Sequence, residues 1–331
     1  MALLEVRDLD VIFPLGRKTL QALHGVSFDL DKGERLGIVG ESGAGKSVAA
    51  FSILNLIAKP GRISAGRVVF DGDDLAKITD AEMQHIRGNR ISMIFQDPMM
   101  TLNPVLTIGT QMVECLKAHR TISDADARRI AIDKLEEVKI PSAAARFANY
   151  PHQLSGGMRQ RVVIAIALLT DPAIIIADEP TTALDVTIQA EILALMLDLC
   201  RDHGVALMLI THDLAVVSQV TQRIVVMYAG RVVEQGPTPA IIADARHPYT
   251  RGLIRALPQQ NRPGVRLHQI RGTMPTLEEI PVGCTFHPRC DFADATCRQR
   301  EPDLRVIDAG KVACHHAEHI IGKLRAGGTD G

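Results

Sequence analysis

The chain has 331 residues, of which 46% are apolar and only 3% aromatic, and it contains no tryptophan. At about 150 residues per domain this length predicts two domains, and the apolar fraction is sufficient for a sizeable core. The formal net charge of -1 excludes the strongly basic balance of a chain whose main partner is nucleic acid.

The sequence offers no segment that would insert into a membrane. The N-terminus carries charged residues from Glu5 onward, too early for a secretory signal peptide. The longest apolar run, residues 162–169, is far shorter than the roughly 20 residues that a membrane helix needs. We therefore expect a soluble, cytosolic chain that is linked to any membrane only through partner proteins.

Strands predicted at residues 3–9, 26–30 and 36–39 lead into a glycine-rich loop, which a helix predicted at 48–58 follows. The loop fits the pattern G-x-x-x-x-G-K-[ST], whose glycines turn backbone N–H groups toward phosphate oxygens. The positive end of the following helix adds to this attraction. Lys46 is expected to reach the β- and γ-phosphates, and the Ser47 hydroxyl to ligate Mg²⁺. The candidate nucleotide-binding residues of this loop are Gly40, Glu41, Ser42, Gly43, Ala44, Gly45, Lys46 and Ser47.

Beyond the loop, the pattern predicts strands at 68–70 and 91–95 and a helix at 81–87. The strand signal then disappears from residue 97 to about residue 155. Helices are predicted there at 108–118 and after Ser123, a good N-cap, with Ala131, Leu135 and Val138 on one face. We interpret this part as a helical insertion in an α/β core.

Ser155, Gly156 and Gly157 precede an apolar helix pattern at 162–169. Ser155 suits an N-cap, and the glycines leave N–H groups accessible at a positive helix end, although the residues alone favour an ordinary capped helix. Asp178 and Glu179 close the apolar run 174–177, which is typical of a buried parallel strand. Beside a phosphate loop, Asp178 is positioned to hold Mg²⁺ through water, and Glu179 is free to polarise the attacking water.

Strand–helix alternation continues to about residue 233. The predicted helices are 186–200 and 213–219, and the predicted strands are 205–210, 223–227 and 231–233. No internal repeat is found, so we expect one nucleotide-binding unit. The dipeptide Gly236-Pro237 marks a boundary, and a tail of different character begins near His247.

Four of the six cysteines lie near the C-terminus, with the spacing C-x5-C-x6-C-x16-C; they are Cys284, Cys290, Cys297 and Cys314. In a reducing compartment such clustering favours metal or cluster binding over disulfides. Four thiolates suit either Zn²⁺ or an iron–sulfur cluster. The C-x-x-C pair that is usual at structural zinc sites is missing, but His287, His315 and His316 could serve as zinc ligands.

Six motifs in a fixed order resemble the ATP-binding cassette (ABC) family: the phosphate loop, Gln96, Leu-Ser-Gly-Gly ending at Gly157, Asp178-Glu179, Ala183-Leu184-Asp185 and His212. The resemblance implies an α/β fold of the P-loop NTPase class over residues 1–235. That cassette would have a parallel sheet core, an antiparallel β subdomain and a helical subdomain at about 97–160. A small Cys-rich C-terminal extension over residues 236–331 would follow.

The resemblance implies roles for residues around one bound ATP. Glu179 matches the catalytic glutamate, and His212 the histidine that contacts the γ-phosphate. Gln96 matches the glutamine that senses Mg²⁺ and the attacking water. Ser47, Gln96 and Asp178 would then be the Mg²⁺ ligands.

The resemblance also implies a second cassette, because Ser155, Gly156, Gly157 and Asp185 match residues that act in trans at the nucleotide of the opposite subunit. Phe13 is the candidate for stacking on adenine. ATP would thus hold a head-to-tail dimer together, and hydrolysis would release it.

The tail sequences His247-Pro248-Tyr249 and Pro281 to Cys290 are similar to those of dipeptide and oligopeptide importer ATPases. That resemblance implies an ATP-hydrolysing importer subunit at the cytoplasmic face of the inner membrane. Its partners would be a second, related ATPase subunit, two transmembrane permease subunits and an extracytoplasmic substrate-binding protein, with no nucleic acid. Some members of that group carry a [4Fe-4S] cluster in this tail, and all four cysteines match, so a cluster is expected; Zn²⁺ and reduced free thiols are the alternatives.

Two other functions stay open at this point. An importer ATPase for nickel, glutathione or another small solute would differ only in cargo. A non-transport ABC ATPase acting on DNA or ribosomes is disfavoured, because this chain has one cassette and no inserted zinc module or long coiled coil.

Overall fold

The structure is a computed structural model that describes residues 2–182, 184–257 and 269–318. The strands of these residues are β1 (Leu4–Leu15), β2 (Lys18–Leu30), β3 (Arg35–Val39), β4 (Arg62–Phe70), β5 (Asp73–Asp74), β6 (Ile91–Ile94), β7 (Ile174–Asp178), β8 (Ala206–Thr211), β9 (Arg223–Tyr228), β10 (Arg231–Pro237), β11 (Arg305–Ile307) and β12 (Gly310–Val312). The helices are α1 (Lys46–Ile53), α2 (Asp80–Ile86), α3 (Pro98–Thr101), α4 (Ile108–His119), α5 (Asp124–Glu137), α6 (Ala143–Arg146), α7 (Gly156–Leu168), α8 (Val186–His203), α9 (Leu214–Val220), α10 (Thr238–Asp244), α11 (Pro248–Arg255) and α12 (Ala295–Gln299). None of these helices is long and apolar enough to cross a membrane.

The chain divides into two compact units. The first unit consists of Leu30–Glu34 and Lys77–Leu209, and the second of Ala2–Asp29, Arg35–Ala76 and the chain from Ile210 onward. The domain boundary predicted near residue 235 lies within β10 in the second unit. That boundary stays a prediction.

The first unit combines buried parallel strands with helices. β6 pairs with β7 in parallel, with Ile91 opposite Ile174 and Ile94 opposite Ala177, and all five residues of β7 are buried. As the sequence pattern predicts, all regular structure between these two strands is helical. The predicted N-cap at Ser123 is present, since its hydroxyl accepts a hydrogen bond from the Asp126 N–H.

The second unit contains an antiparallel sheet in the order β2-β1-β4-β5. β1 pairs with β4 so that Leu4 lies opposite Phe70 and Val6 opposite Val68. Buried and less buried residues alternate along the first part of β1, which is the pattern of a strand with one face on a core.

The second unit also holds the strands that carry the phosphate loop. β3 pairs in parallel with β9, and β9 pairs antiparallel with β10 across the turn Ala229-Gly230. Both turn residues have positive φ, 45° and 77°, as in the tight hairpin turns that match strand twist. The C-terminal extension continues this sheet, because β12 pairs with β10 and β11 with β12.

Three aromatic rings join the extension to β9. Tyr228 of β9 lies 4.8 Å from Tyr249 and 5.2 Å from Phe286, measured between ring centroids, in edge-to-face geometry. All three side chains are buried in one apolar cluster that also includes Val39, the last residue of β3. Because such rings dominate core energetics, this cluster fixes the extension against the strand next to the phosphate loop.

Several predicted element ends are wrong. The helix predicted at 48–58 begins at Lys46 and ends at Ile53, because Asn55 adopts a left-handed conformation with φ 50°. The strands predicted at 3–9, 26–30 and 68–70 correspond to one end each of the longer β1, β2 and β4. The remaining parts of these strands are more exposed and show no apolar alternation in the sequence.

Candidate nucleotide-binding and hydrolysis site

The phosphate loop lies between β3 and α1, as its pattern predicts. A Cβ on Gly40 would lie 2.3 Å from the Met227 carbonyl oxygen, so no other residue fits there. Gly45 has φ 98°, and a Cβ on it would lie 2.9 Å from Leu23. The loop therefore needs glycine at both ends to follow its path.

The Lys46 ammonium points into the loop. Its Nζ donates to the carbonyl oxygens of Gly40 at 2.8 Å and Glu41 at 3.0 Å, and the residue is only 5% exposed. An ammonium held over a curled backbone of this kind is positioned to exchange these partners for phosphate oxygens. Ser47 follows at the second position of α1 and is half-buried.

Two other segments of the second unit contact the loop: the β9–β10 turn and the C-terminal extension. The Gly230 N–H in the β9–β10 turn donates to the Ala44 carbonyl oxygen at 3.0 Å. The Tyr249 hydroxyl accepts the Glu41 N–H at 2.8 Å, and Arg289 binds the Glu41 carboxylate. No pattern in the sequence predicts that Tyr249 and Arg289 contact the loop, although both lie in the tail sequences that are similar to those of importer ATPases.

In the first unit, the structure brings together Gln96 and Glu179. The Gln96 amide donates to Glu179 Oε2 at 3.2 Å, and the Thr182 hydroxyl donates to the same oxygen at 2.8 Å. Glu179 has φ 46°, a left-handed conformation that is costly for a residue with a side chain and is often found at functional sites. Asp178, one residue earlier, is buried at the end of β7.

The Ser155 segment begins α7. The Ser155 hydroxyl is exposed and accepts the Met158 N–H at 3.3 Å, so it is the predicted N-cap. A Cβ on Gly157 would lie 2.9 Å from Ile188 Cγ2, so glycine lets α7 approach α8 closely. Gly156 is exposed and less crowded, with Leu184 at 3.7 Å from its Cβ position.

The remaining predicted site residues lie at element ends or on a strand. Asp185 is the N-cap of α8 and accepts the Ile188 N–H at 3.0 Å, while Ala183 of the same motif lies outside the described residues. His212 is exposed in the turn after β8. Phe13 is half-buried on β1, with its ring edge packed against Gly61. The functional roles of these residues stay predictions.

The four C-terminal cysteines are free thiols, and each is half-buried or buried. Burial raises the pKa of Cys290 to about 11 and that of Cys314 to about 12. Negative charge on Cys284, Cys290 or Cys297 would raise the pKa of Cys314 further. Cys284 and Cys297 are also joined by a backbone hydrogen bond of 2.8 Å.

One aspartate and one histidine lie close to one of these cysteines. Ligand atoms of Asp294, Cys297 and His316 all lie within 4.8 Å of one another. The ring nitrogens of His287 and His315 are hydrogen-bonded to the carbonyl oxygens of Cys284 and Arg300. The structure therefore brings one cysteine, one histidine and one carboxylate to metal-binding distance, and a site of four thiolates stays a prediction.

Two family models match the chain. The first, described as ABC transporter, matches residues 23–182. The second, described as oligopeptide/dipeptide transporter, C-terminal region, matches residues 233–297.

Similar proteins match over nearly the whole chain. The "Probable peptide ABC transporter ATP-binding protein y4tR" of Sinorhizobium fredii is 48% identical over 322 residues, covering 96% of each chain. The "Dipeptide transport ATP-binding protein DppD" of Escherichia coli is 47% identical over 317 residues, covering 96% of this chain and 97% of that one.

Solved structures of cassettes match the larger part of the chain. The dimeric post-hydrolysis state of the ATP-binding cassette MJ0796 bound to ADP and Pi has a TM-score of 0.63 at 31% identity. It covers 71% of this chain and 98% of that chain. The cbiO1 protein of Clostridium perfringens, part of the ABC transporter complex cbiONQ, has a TM-score of 0.63 at 26% identity. It covers 73% of this chain and 91% of that chain.

Proposed function

The chain belongs to the ABC transporter ATPases, and we propose that it is the ATP-hydrolysing subunit of an importer for dipeptides or oligopeptides. The observation that carries the cargo class is the C-terminal region, which matches the family model of oligopeptide and dipeptide transporters. The names of the similar proteins from Sinorhizobium fredii and Escherichia coli support the same class.

ATP binding is proposed at the phosphate loop. Lys46 would bind the β- and γ-phosphates with the ammonium that now contacts Gly40 and Glu41. Ser47, Gln96 and Asp178 are the proposed Mg²⁺ ligands, and hard oxygen donors of this kind fit that ion. When bound, Mg²⁺ would neutralise charge that develops on the phosphates.

Hydrolysis is proposed to depend on Glu179 as general base. Its carboxylate would accept a proton from the attacking water, and the Gln96 amide holds that carboxylate in place at 3.2 Å. The left-handed backbone at Glu179 sets the direction of the side chain after β7. His212 would contact the γ-phosphate.

A second cassette is proposed to complete the site. Ser155, with the exposed N-terminal end of α7, would contact the γ-phosphate bound by the opposite subunit, which we propose is a related but different chain. Two permease subunits and an extracytoplasmic substrate-binding protein would complete the importer at the cytoplasmic face of the membrane.

Exposed apolar side chains support a contact with the permease subunits. Met100 and Val105 are 85% and 74% exposed, and both lie just after Gln96 in the chain. Large apolar residues exposed together commonly mark a protein contact surface. A helix seated on this segment would link the permease to the residue that holds Glu179.

Uptake by cells that carry this chain tests the function. A strain without this chain should lose uptake of labelled dipeptides, and the wild-type chain should restore uptake while Glu179→Gln should not. Loss of nickel or glutathione uptake with dipeptide uptake intact would contradict the peptide cargo.

The cysteine cluster is proposed to hold a [4Fe-4S] cluster through Cys284, Cys290, Cys297 and Cys314, with Zn²⁺ as the alternative. Burial raises the pKa of Cys290 and of Cys314, and a bound cation would stabilise their thiolates. Bound there, an iron–sulfur cluster would cross-link the extension, with no part in ATP chemistry.

Metal analysis of anaerobically purified protein tests the cluster. We expect iron and acid-labile sulfide in equal amounts, with visible absorption that Cys290→Ser removes. Cys115→Ser, which changes a half-buried cysteine of α4, is the matched control and should keep both. A colourless protein with stoichiometric zinc would contradict the cluster.

A further inference from the structure

Arg289 of the C-terminal extension forms a two-pronged ion pair with a residue of the phosphate loop. Its Nη1 lies 2.6 Å from Glu41 Oε2 and its Nη2 lies 3.0 Å from Glu41 Oε1. The Arg289 side chain is only 5% exposed. Paired parallel hydrogen bonds between guanidinium and carboxylate are among the stronger polar contacts in proteins, and burial reduces their screening by salt.

The surroundings of Arg289 fix its guanidinium in this position. Nε donates to the Arg271 carbonyl oxygen at 2.8 Å, and Nη2 also donates to that of Gly272 at 3.3 Å. The guanidinium carbon lies 5.7 Å from the centre of the Tyr228 ring. Hydrogen bonding to Glu41 raises the pKa of Arg289, so the residue is charged at any physiological pH. The extension therefore presents a preoriented positive charge to the loop.

Glu41 is held at its backbone as well as at its carboxylate. Its N–H donates to the Tyr249 hydroxyl at 2.8 Å, so this donor of the loop is directed at the extension. Its carbonyl oxygen accepts from Lys46, the residue proposed to bind phosphate. The Met274 side chain lies 3.8 Å from the Cβ position of Gly43, which is a third contact between extension and loop.

The negative charge of Glu41 affects how the loop binds a triphosphate, so the Arg289 charge that pairs with it is important for binding. A carboxylate within a loop that binds a triphosphate repels the ligand unless a positive charge cancels it. Arg289 supplies that charge from 248 residues further along the chain.

We propose that Arg289 is a positioning residue for ATP binding, which neutralises Glu41 and fixes the phosphate loop in its binding conformation. The inference rests on the proposed ATP site and adds a role for the extension in it. If the ion pair were only a structural tie, Glu41→Gln alone would weaken ATP binding as much as the loss of Arg289 does, because either change breaks the pair. If charge compensation is its role, the loss matters only while the carboxylate is present.

A double-mutant cycle on the purified full-length chain separates these two roles. The dissociation constant of ATP with Mg²⁺ is measured by calorimetry for the wild type, Arg289→Gln, Glu41→Gln and the double variant. We expect Arg289→Gln to weaken binding about tenfold in the wild-type background, and to have little effect in the Glu41→Gln background. Arg289→Lys, which keeps the charge, should recover most of the affinity.

Two further measurements make the result specific. The effect of Arg289→Gln should shrink as NaCl rises from about 50 mM to about 500 mM, because salt screens the uncompensated carboxylate. Arg246→Gln is the matched control: it removes another arginine of the extension, which is half-buried and paired with Asp308, and it should leave ATP affinity unchanged. Thermal unfolding of each variant reports whether it folds. If Arg289→Gln does not fold, Arg289→Met, which also removes the charge, is measured in both Glu41 backgrounds instead.

The outcomes are distinct. This inference would be overturned, with the proposed function intact, if Glu41→Gln alone weakened binding as much as Arg289→Gln alone. An equal effect of Arg289→Gln in both Glu41 backgrounds, or no effect at all, would overturn it too. A folded wild-type chain that binds no ATP would instead contradict the proposed function, and this inference with it.

Discussion

Glu179 is the residue that we propose as the general base of ATP hydrolysis. We predict that Glu179→Gln lowers the rate of ATP hydrolysis by at least about a hundredfold, because an amide cannot accept the proton of the attacking water. ATP binding should remain, since the phosphate loop is unchanged. The rate is measured as phosphate release by the assembled complex.

Glu191 provides a matched control for this change. It is another glutamate of the first unit, on α8, and it pairs with Arg161. Glu191→Gln should keep the wild-type rate. Turnover retained by Glu179→Gln would remove Glu179 as the general base.

His247 couples the stability of the second unit to pH. It is completely buried, and burial lowers its pKa from 6.5 to about 3. Its Nδ1 accepts the Tyr249 N–H at the start of α11. Between these two pKa values the unfolded chain binds a proton that the folded chain does not, so stability falls as pH falls.

We predict that this histidine makes the wild type lose about 2 kcal/mol more stability than His247→Asn between pH 7 and pH 5. Asparagine keeps an acceptor at the helix N-cap but does not titrate. Glu234, whose pKa burial raises, is present in both proteins and cancels in the difference. Urea unfolding at the two pH values measures it, and an equal loss in both proteins would contradict the prediction.

For single residues, the sequence alone predicts features that depend only on residues close together in the chain. The curled loop at Gly40 and Gly45 and the Ser155 cap follow from residue types a few positions apart. The contacts of Tyr249 and Arg289 with Glu41 join residues 208 and 248 positions apart. No local pattern could have paired them, because their meeting depends on how β9 and the extension pack.

At the scale of the elements, the close packing of α7 on α8 depends on a single glycine, Gly157. We predict that Gly157→Ala lowers the free energy of unfolding by about 1–3 kcal/mol, because the added Cβ meets Ile188 Cγ2 at 2.9 Å. A β-branched side chain in a helix has one strongly preferred rotamer, so Ile188 cannot easily turn away.

Gly156→Ala is the control for stability, since the nearest atom would lie at 3.7 Å and alanine favours a helix. Urea unfolding of the two variants gives the comparison. Equal stability of Gly157→Ala and the wild type would show that α7 and α8 can separate at no cost.

The elements were predictable in type and less so in extent. Strong periodicity placed α4, α5 and α8 and the apolar runs of β3 and β7. The four-residue helices α3 and α6 were missed, because one turn carries no periodic signal. Only the C-terminal end of β4 was predicted, because residues 64–67 are exposed and carry no apolar pattern. Pairing with β1 holds that part of the strand.

For the whole molecule, the account depends on two cassettes that share each nucleotide. In this chain the phosphate loop belongs to the second unit, while Ser155 and the α7 N-terminus belong to the first. The phosphate loop and the N-terminal end of α7 are each fully formed in this chain: Lys46 lies in its loop, and the Ser155 hydroxyl caps an exposed helix end. On this account, transport also requires the opposite subunit, which would place its own Ser155-type helix end at the nucleotide bound here.

The most direct test is the structure of the assembled importer that carries Glu179→Gln and is saturated with ATP and Mg²⁺. The account predicts that Ser155 Oγ lies within about 3 Å of a γ-phosphate oxygen whose triphosphate is bound by the phosphate loop of the other cassette. An assembled, ATP-loaded complex in which Ser155 is remote from every triphosphate would contradict it.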